Sequence, residues 1–258
     1  MKEIGNAASG IAMPHIRLAA LAVFLFACSV AFGGIRATTP QNWNGRPDSW
    51  QMKRHAQKVE AAANGGAKVV FIGDSITHNW ERKGREQLKK YFSHGDWKML
   101  NLGFGSDRTE HVIWRLENGE LDGYEAAFVS IMIGTNNTGH FPVEKESPED
   151  TVEGIRKILE IVRQKQPKAL VVLTAIFPRG EKPDDPCRLR NDKVNEKIRA
   201  FADGTDVVWL DLKDDFLAPD GTLPKELFPD FLHPSAEGYE IWYRGVKPYV
   251  ERALSNNE

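Results

Sequence analysis

Residues Phe71–Trp80 read FIGDSITHNW. The apolar run Val69-Val70-Phe71-Ile72 suits a strand buried on both faces, and Gly73-Asp74 ends it in a tight turn that presents a small hydroxyl, Ser75. Such strand ends are where α/β proteins expose groups for chemistry. Ser75 is therefore either a turn former or a nucleophile, and the rest of the chain has to decide between them.

Working outward, apolar strands alternate with amphipathic helices. KRHAQKVEAAANGG is a lead-in helix stopped by Gly65-Gly66, AKVVFIGDS a strand, and Glu86 to Phe92 a helix. KMLNLG is the next strand, followed by the helix RTEHVIWRLENG with Val112, Ile113 and Leu116 at helical spacing, and then by the strand AAFVSIMIGTNN. TVEGIRKILEIVRQKQ places Val152, Ile155, Ile158, Leu159 and Val162 on one face and ends at Pro167. The strand KALVVLTAIFP, the helix NDKVNEKIRAFADG, the strand VVWLDL and the helix SAEGYEIWYRGVKPYVERAL complete the series. Strands apolar throughout, beginning near Val69, Met99, Phe128, Leu170 and Val207, predict a five-stranded parallel sheet covered on both faces, an α/β fold of three α/β/α layers.

Composition bounds the function. The 258 residues are 41% hydrophobic and 27% charged, enough for one substantial core. With 34 basic against 36 acidic side chains, scattered rather than grouped, no field favours nucleic acid, which is set aside as a partner. Arg17 precedes an uncharged, mostly apolar run, Leu18 to Gly34, with small residues at Ser29-Val30-Ala31, the pattern of a secretory signal whose true start is Met1 or Met13. The alternatives are an uncleaved anchor or, at Cys28, a lipid attachment site; either would make the N-terminus the only membrane contact. Residues 1–37 are thus expected to be signal or anchor with its lead, residues 38–258 a single domain, and the location secreted, periplasmic or in the cell envelope. Cys187 has no partner once Cys28 is removed and sits in a Pro- and Asp-rich loop, so no disulfide framework is expected.

The residues after each strand are Gly73-Asp74-Ser75, Gly103 to Asp107, Gly134 to Asn137, Pro178 to Gly180, and Asp230 to His233. Acyl transfer by serine needs a hydroxyl, a base, an acid that orients the base, and donors for the oxyanion. Ser75, His233 and Asp230 supply the first three, and one turn brings Asp230 to the His233 ring. The N–H of Ser75, the turn after Gly103-Phe104-Gly105 and the Asn136 amide supply donors. Each piece also has a plain structural reading: Gly-Asp-Ser as a turn, Asp-x-x-His before Pro as a helix cap, Asn136 and Asn137 as caps. Their joint placement at the ends of separate strands separates the readings.

FIGDSITHNW (71–80), NLGFGSDRTEHVIWRL (101–116), IMIGTNN (131–137) and DFLHP (230–234) resemble, in order, the four blocks of the SGNH, or GDSL, hydrolase family. Within it the chain from Trp50 onward is most similar to the subgroup of intracellular, brain-type platelet-activating-factor acetylhydrolase catalytic subunits and their bacterial relatives, as FPRGEKP and NDKVN also suggest. The resemblance implies a flavodoxin-like SGNH fold, with Ser75 as nucleophile, His233 as base and then acid, and Asp230 holding the His233 tautomer. It implies an oxyanion hole of the Ser75 N–H, the Asn136 amide and a glycine N–H directly before Asp or Arg. Here that position is Ser106, a departure, with Gly105 as the alternative donor.

The activity so implied is a serine esterase acting on short acyl, chiefly acetyl, esters of a carbohydrate or lipid through an acyl-enzyme, with no cofactor or metal. An O-acetyltransferase of the same fold, a non-catalytic carbohydrate- or lipid-binding protein and a flavodoxin-type cofactor binder are the alternatives. A homodimer follows from the resemblance alone. Asp74 is expected to shape the turn and Thr135 to support Asn136. His78 and His140 are expected at the surface unless they line the substrate cavity, and Arg108 and Arg179 either meet an anionic or carbohydrate group or form salt bridges.

Overall fold

The computed structural model describes residues 36–43, 46, 48–92 and 98–255, together with Met1. The chain divides into two compact units, Met1–Gly33 and Gly34–Glu258, and every described residue but Met1 belongs to the second. The segment read as signal or anchor, with Met13 and Cys28, lies outside the described residues. Among the described residues no helix is long and apolar enough to cross a membrane.

Strands β1 (Ala67–Gly73), β2 (Lys98–Gly103), β3 (Phe128–Met132), β4 (Leu170–Thr174) and β5 (Val207–Leu210) form one parallel sheet in the order β2-β1-β3-β4-β5. The order reverses at β1, so the crevice beyond the C-terminal ends of β1 and β3 is the topological switch point where doubly wound sheets bind ligands. The helices are α1 (Trp50–Ala63), α2 (Ser75–His78), α3 (Arg85–Phe92), α4 (Thr109–Arg115), α5 (Thr135–His140), α6 (Pro148–Lys165), α7 (Pro186–Ile198), α8 (Lys213–Phe216) and α9 (Ala236–Ser255).

Strand alternation sends successive side chains to opposite faces. Val70 and Ile72 join Val112, Ile113, Ile155, Ile158 and Val194 in one core, beneath α4, α6 and α7. Val69 and Phe71 join Trp80, Phe92, Phe216, Tyr239 and Trp242 in the other, beneath α3, α8 and α9. The second core is the more aromatic: Trp242 packs on Phe71, Trp80 and Phe177 with ring centroids 5.8, 5.3 and 5.0 Å apart. Truncating so large a fully buried side chain to alanine costs about 3–5 kcal/mol.

Three elements differ from their sequence reading. The strand read through Asn137 ends at Met132, and Thr135 to His140 form the short helix α5. The helix expected from Asn191 begins at Pro186, because the Asp185 side chain accepts from the Cys187 and Arg188 N–H groups and proline suits the first helical turn. Cys187 therefore sits in a helix rather than a loop. The helix read through RTEHVIWRLENG ends at Arg115 and gives way to a wider turn, Leu116–Glu120, in which Gly119 takes φ 103°.

Candidate active site

β1, β2 and β3 end in register, with Gly73 opposite both Gly103 and Met132. A Cβ on Gly73 would collide with Thr77 Oγ1 and the Met132 carbonyl, and one on Gly103 with the backbone of His78. Only glycines let the short α2 lie against these strand ends. Asp74 caps α2, its Oδ1 accepting from the Ile76 N–H at 2.9 Å. That makes Asp74 the turn organiser expected of it, and leaves Ser75 as the first residue of a helix, with no intrahelical acceptor for its N–H. The Asp74 carboxyl is fully buried, which pushes its pKa up to about 7.

Ser75 Oγ lies 2.9 Å from His233 Nε2, and His233 Nδ1 lies 2.8 Å from Asp230 Oδ2. With the Nδ1–H donating a hydrogen bond to the Asp230 carboxylate, Nε2 is left as the acceptor for the serine hydroxyl. The other Asp230 oxygen, Oδ1, accepts from the N–H groups of Leu232 and His233 at 3.2 and 2.7 Å, so one carboxylate both builds the turn and orients the ring. Burial pushes the Asp230 carboxyl up, but those two N–H donors and the His233 ring outweigh it and hold it below the usual carboxylate range. Between them Phe231 adopts φ 54°, and its carbonyl accepts from the Gly180 N–H at 2.8 Å, tying the turn to the loop after β4.

The expected oxyanion donors lie on the loops after β2 and β3. Asn136 is buried, and its Nδ2 donates to the Asp107 carbonyl at 2.8 Å, which leaves the second hydrogen of that amide uncommitted by this bond. Ser106 is exposed with φ 64°, a left-handed conformation that favours glycine. Gly105 is half-buried and lines the same cavity as Ser75 and His233, whereas Ser106 and Asn136 are not among its lining residues. Among the described residues, neither the Gly105 nor the Ser106 N–H donates to a backbone carbonyl.

Beneath this loop is a polar network that motif reading missed. The Asp107 carboxylate accepts from Arg115 Nε and Nη2 at 2.9 and 2.7 Å and from Trp43 Nε1 at 2.8 Å. Arg115, itself buried, also donates to the Leu102 carbonyl at 3.1 Å, pairs with Glu120 and lies 3.8 Å over the Phe104 ring. Trp43 stacks on His111 with centroids 4.0 Å apart. Asp107 lies in the loop before α4 and Arg115 at the end of that helix, so the pairing is made by the loop folding back over the helix.

Trp50, Ser75, His78, Asn79, Arg82, Gly105 and His233 line a cavity of about 500 Å³. His78 is buried in this wall rather than at the surface, because Trp50 of α1 stacks on it at 5.8 Å. Burial, with Arg54, Arg82 and Lys58 nearby and only Glu81 opposing, depresses its pKa to about 4, so the ring is neutral at pH 7. His140 is exposed. Arg108 is buried against Glu110, and Arg179 donates to the Thr135 carbonyl at 2.9 Å, so both serve the scaffold. Asn137 caps α4, its Oδ1 accepting from the Thr109 N–H at 3.0 Å. Among the described residues no group of three or more His, Cys, Asp or Glu side chains could hold a metal ion.

A parallel α/β/α sheet whose strand ends carry a hydrogen-bonded serine, histidine and aspartate has the geometry that hydrolytic acyl transfer requires. The model of the GDSL-like Lipase/Acylhydrolase family matches residues 71–241, and the chain belongs to that family. Its relatives include platelet-activating factor acetylhydrolase IB subunit alpha1 of Bos taurus, 35% identical over 82% of this chain and 87% of the relative. The alpha2 subunit of Rattus norvegicus is 33% identical over 74% and 79%. Among solved structures, a GDSL-like lipase from Bacteroides thetaiotaomicron superposes with TM-score 0.62 at 22% identity, covering 78% of this chain and 97% of that one. The acetylxylan esterase Axe2 from Geobacillus stearothermophilus gives 0.58 at 21% identity, with 72% and 94% covered. The fold is the SGNH hydrolase fold, and the protein is a carboxylic ester hydrolase.

Proposed function

We propose that the protein hydrolyses short acyl esters, acetyl above all, of a carbohydrate or lipid through an acyl-enzyme on Ser75. The observation that carries this reading is the unbroken series from Ser75 Oγ through His233 to Asp230, at 2.9 and 2.8 Å. Ser75 Oγ attacks the ester carbonyl as His233 Nε2 takes its proton. The carbonyl oxygen becomes an oxyanion held by the Ser75 N–H, a loop N–H from Ser106 or Gly105, and the Asn136 amide. Collapse breaks the bond to the alcohol, which leaves with the proton from His233. Water then adds to the acyl-serine as His233 takes its proton, and the acid is released as that proton returns to Ser75.

The names of the relatives support a small acyl group: one is an acetylhydrolase and another structure is that of an acetylxylan esterase. A panel of esters varying acyl length and alcohol, including acetylated xylan and an acetylated phospholipid, tests it. Fastest turnover of acetyl esters is expected, and a preference for long acyl chains would overturn the short-acyl reading. Running the same reactions with a sugar acceptor separates hydrolysis from acetyl transfer, since transfer products form only with acceptor present. Export is part of the proposal and rests on the Arg17 to Gly34 pattern alone; the N-terminal sequence of the mature protein tests it. A homodimer is likewise proposed from the subgroup resemblance, and sedimentation in solution tests it.

A further inference from the structure

The cavity beside Ser75 has two unlike sides. Ser75 and His233 carry the chemistry, while Trp50, 47% exposed and packed close to Gly105 and the buried His78, and the exposed Arg82 line the part of the cavity open to solvent. An ester has to put its reacting carbonyl at Ser75 and leave its alcohol free to depart, so the open part suits the alcohol portion. Arg82 is the cation of that lining, and Arg54 and Lys58 lie behind it, outside the cavity. Arg54 Nη1 and Nη2 and Lys58 Nζ all bind the single Glu81 carboxylate, at 2.8, 3.0 and 2.9 Å. Arg82 follows immediately in the chain, exposed, and among the described residues no carboxylate pairs with it. Three cations thus face one anion, and the one without a counter-ion lines the substrate cavity. The neutral ring of His78, stacked on Trp50, offers no competing charge.

We infer that Arg82 reads a negative group, a carboxylate or a phosphate, on the alcohol portion of the ester, with the Trp50 ring supporting the body of that alcohol. This rests on the esterase reading above and adds the charge of its substrate. An acidic sugar and a phosphorylated lipid headgroup share this chemistry. Guanidinium binds either through paired N–H donors, whereas a neutral ester gains nothing from it.

The experiment compares three acetyl esters: 4-acetoxybenzoate, 4-acetoxyphenyl phosphate and the neutral methyl 4-acetoxybenzoate. The quantity read is kcat/KM of each anionic ester over the neutral one, and comparing variants with wild type cancels the intrinsic reactivities of the esters. Arg82→Ala should lower the ratio roughly tenfold, mainly through the KM of the anionic ester. Arg82→Lys should retain most of the ratio, Arg82→Glu should lower it further, and raised salt should erode it in the wild type. Lys83→Ala, which removes a neighbouring charge outside the cavity lining, should leave the ratio within about twofold. A larger ratio for the phosphate ester points to a headgroup, and a larger one for the carboxylate to an acidic sugar; both support the inference. Equal ratios in wild type, Arg82→Ala and Arg82→Glu overturn it. If no ester is turned over at all, the esterase reading fails instead, and calorimetric titration with 4-hydroxybenzoate still decides the role of Arg82: weaker binding to Arg82→Ala supports it, and equal binding overturns it.

Discussion

The Asn136 side chain donates to the Asp107 carbonyl at 2.8 Å and so fastens the loop after β3 to the loop after β2, across the strand that carries Ser75. Neither loop holds its donors alone. Asp107 is gripped from below by Arg115 and from the side by Trp43, and Asn137 ties the next residue pair by capping α4. The two loops proposed to carry the oxyanion donors therefore form a braced assembly, and the consequences can be measured.

Replacing Ser75 by alanine should cut turnover of p-nitrophenyl acetate by at least about 10³-fold while leaving the far-UV circular dichroism unchanged. His233→Ala should cost nearly as much, and the double variant little more than either alone, because the two groups act as a unit. Additive losses would mean that they work separately.

Ser106→Gly should stabilise the fold by about 1 kcal/mol, since a left-handed φ of 64° strains any residue with a Cβ. Thermal unfolding should move upward by roughly 2–4 °C. A lower melting temperature would show that the Ser106 side chain earns its place through a contact of its own.

Trp43→Phe keeps an aromatic ring to stack on His111 but removes the donor to Asp107 Oδ1 together with part of the indole. A loss of about 1–3 kcal/mol is expected in urea unfolding, the cost of leaving a buried carboxylate oxygen short of a partner. Stability equal to wild type would indicate that Arg115 alone satisfies Asp107.

The sign of one pH dependence follows from Asp74. Its folded pKa of about 7 lies above the ordinary 3.8, so between those values the folded chain holds a proton that the unfolded chain has released. Stability should therefore be greatest below about pH 4 on this account and decline as pH rises through 7, by roughly 4 kcal/mol at most. Asp74→Asn keeps an oxygen for the Ile76 N–H and removes the titration. Its urea midpoint should change less than that of the wild type between pH 5 and pH 8; parallel behaviour of the two proteins would rule Asp74 out as the titrating group.

The sheet was legible because strands such as Val69–Ile72 and Phe128–Met132 are apolar at nearly every position and buried on both faces, a pattern typical of parallel sheets. Ser75 was legible because it follows the end of β1 directly, and Asp230 and His233 because they precede the last helix in an Asp-x-x-His-Pro run. What local sequence could not show are contacts made across the chain. His78 is buried because Trp50, on a helix before β1, covers it. Arg115 looked like one more polar residue of an amphipathic helix until the Asp107 loop folded over it. The start of α7 was missed for a local reason, since the Asp185-Pro186 cap reads equally as a turn.

Trp50 stands upstream of residues 71–241, the stretch shared with the family at large, yet it forms part of the cavity beside Ser75. The surface that greets the substrate is thus encoded on two lengths of chain, with α1 supplying Trp50 and the shared stretch supplying His78, Asn79 and Arg82 beside the bond-breaking machinery. A lineage could exchange or redecorate the α1 helix and acquire a new clientele of esters while inheriting the relay intact. For enzyme engineers, the same division marks α1 as the segment to diversify first.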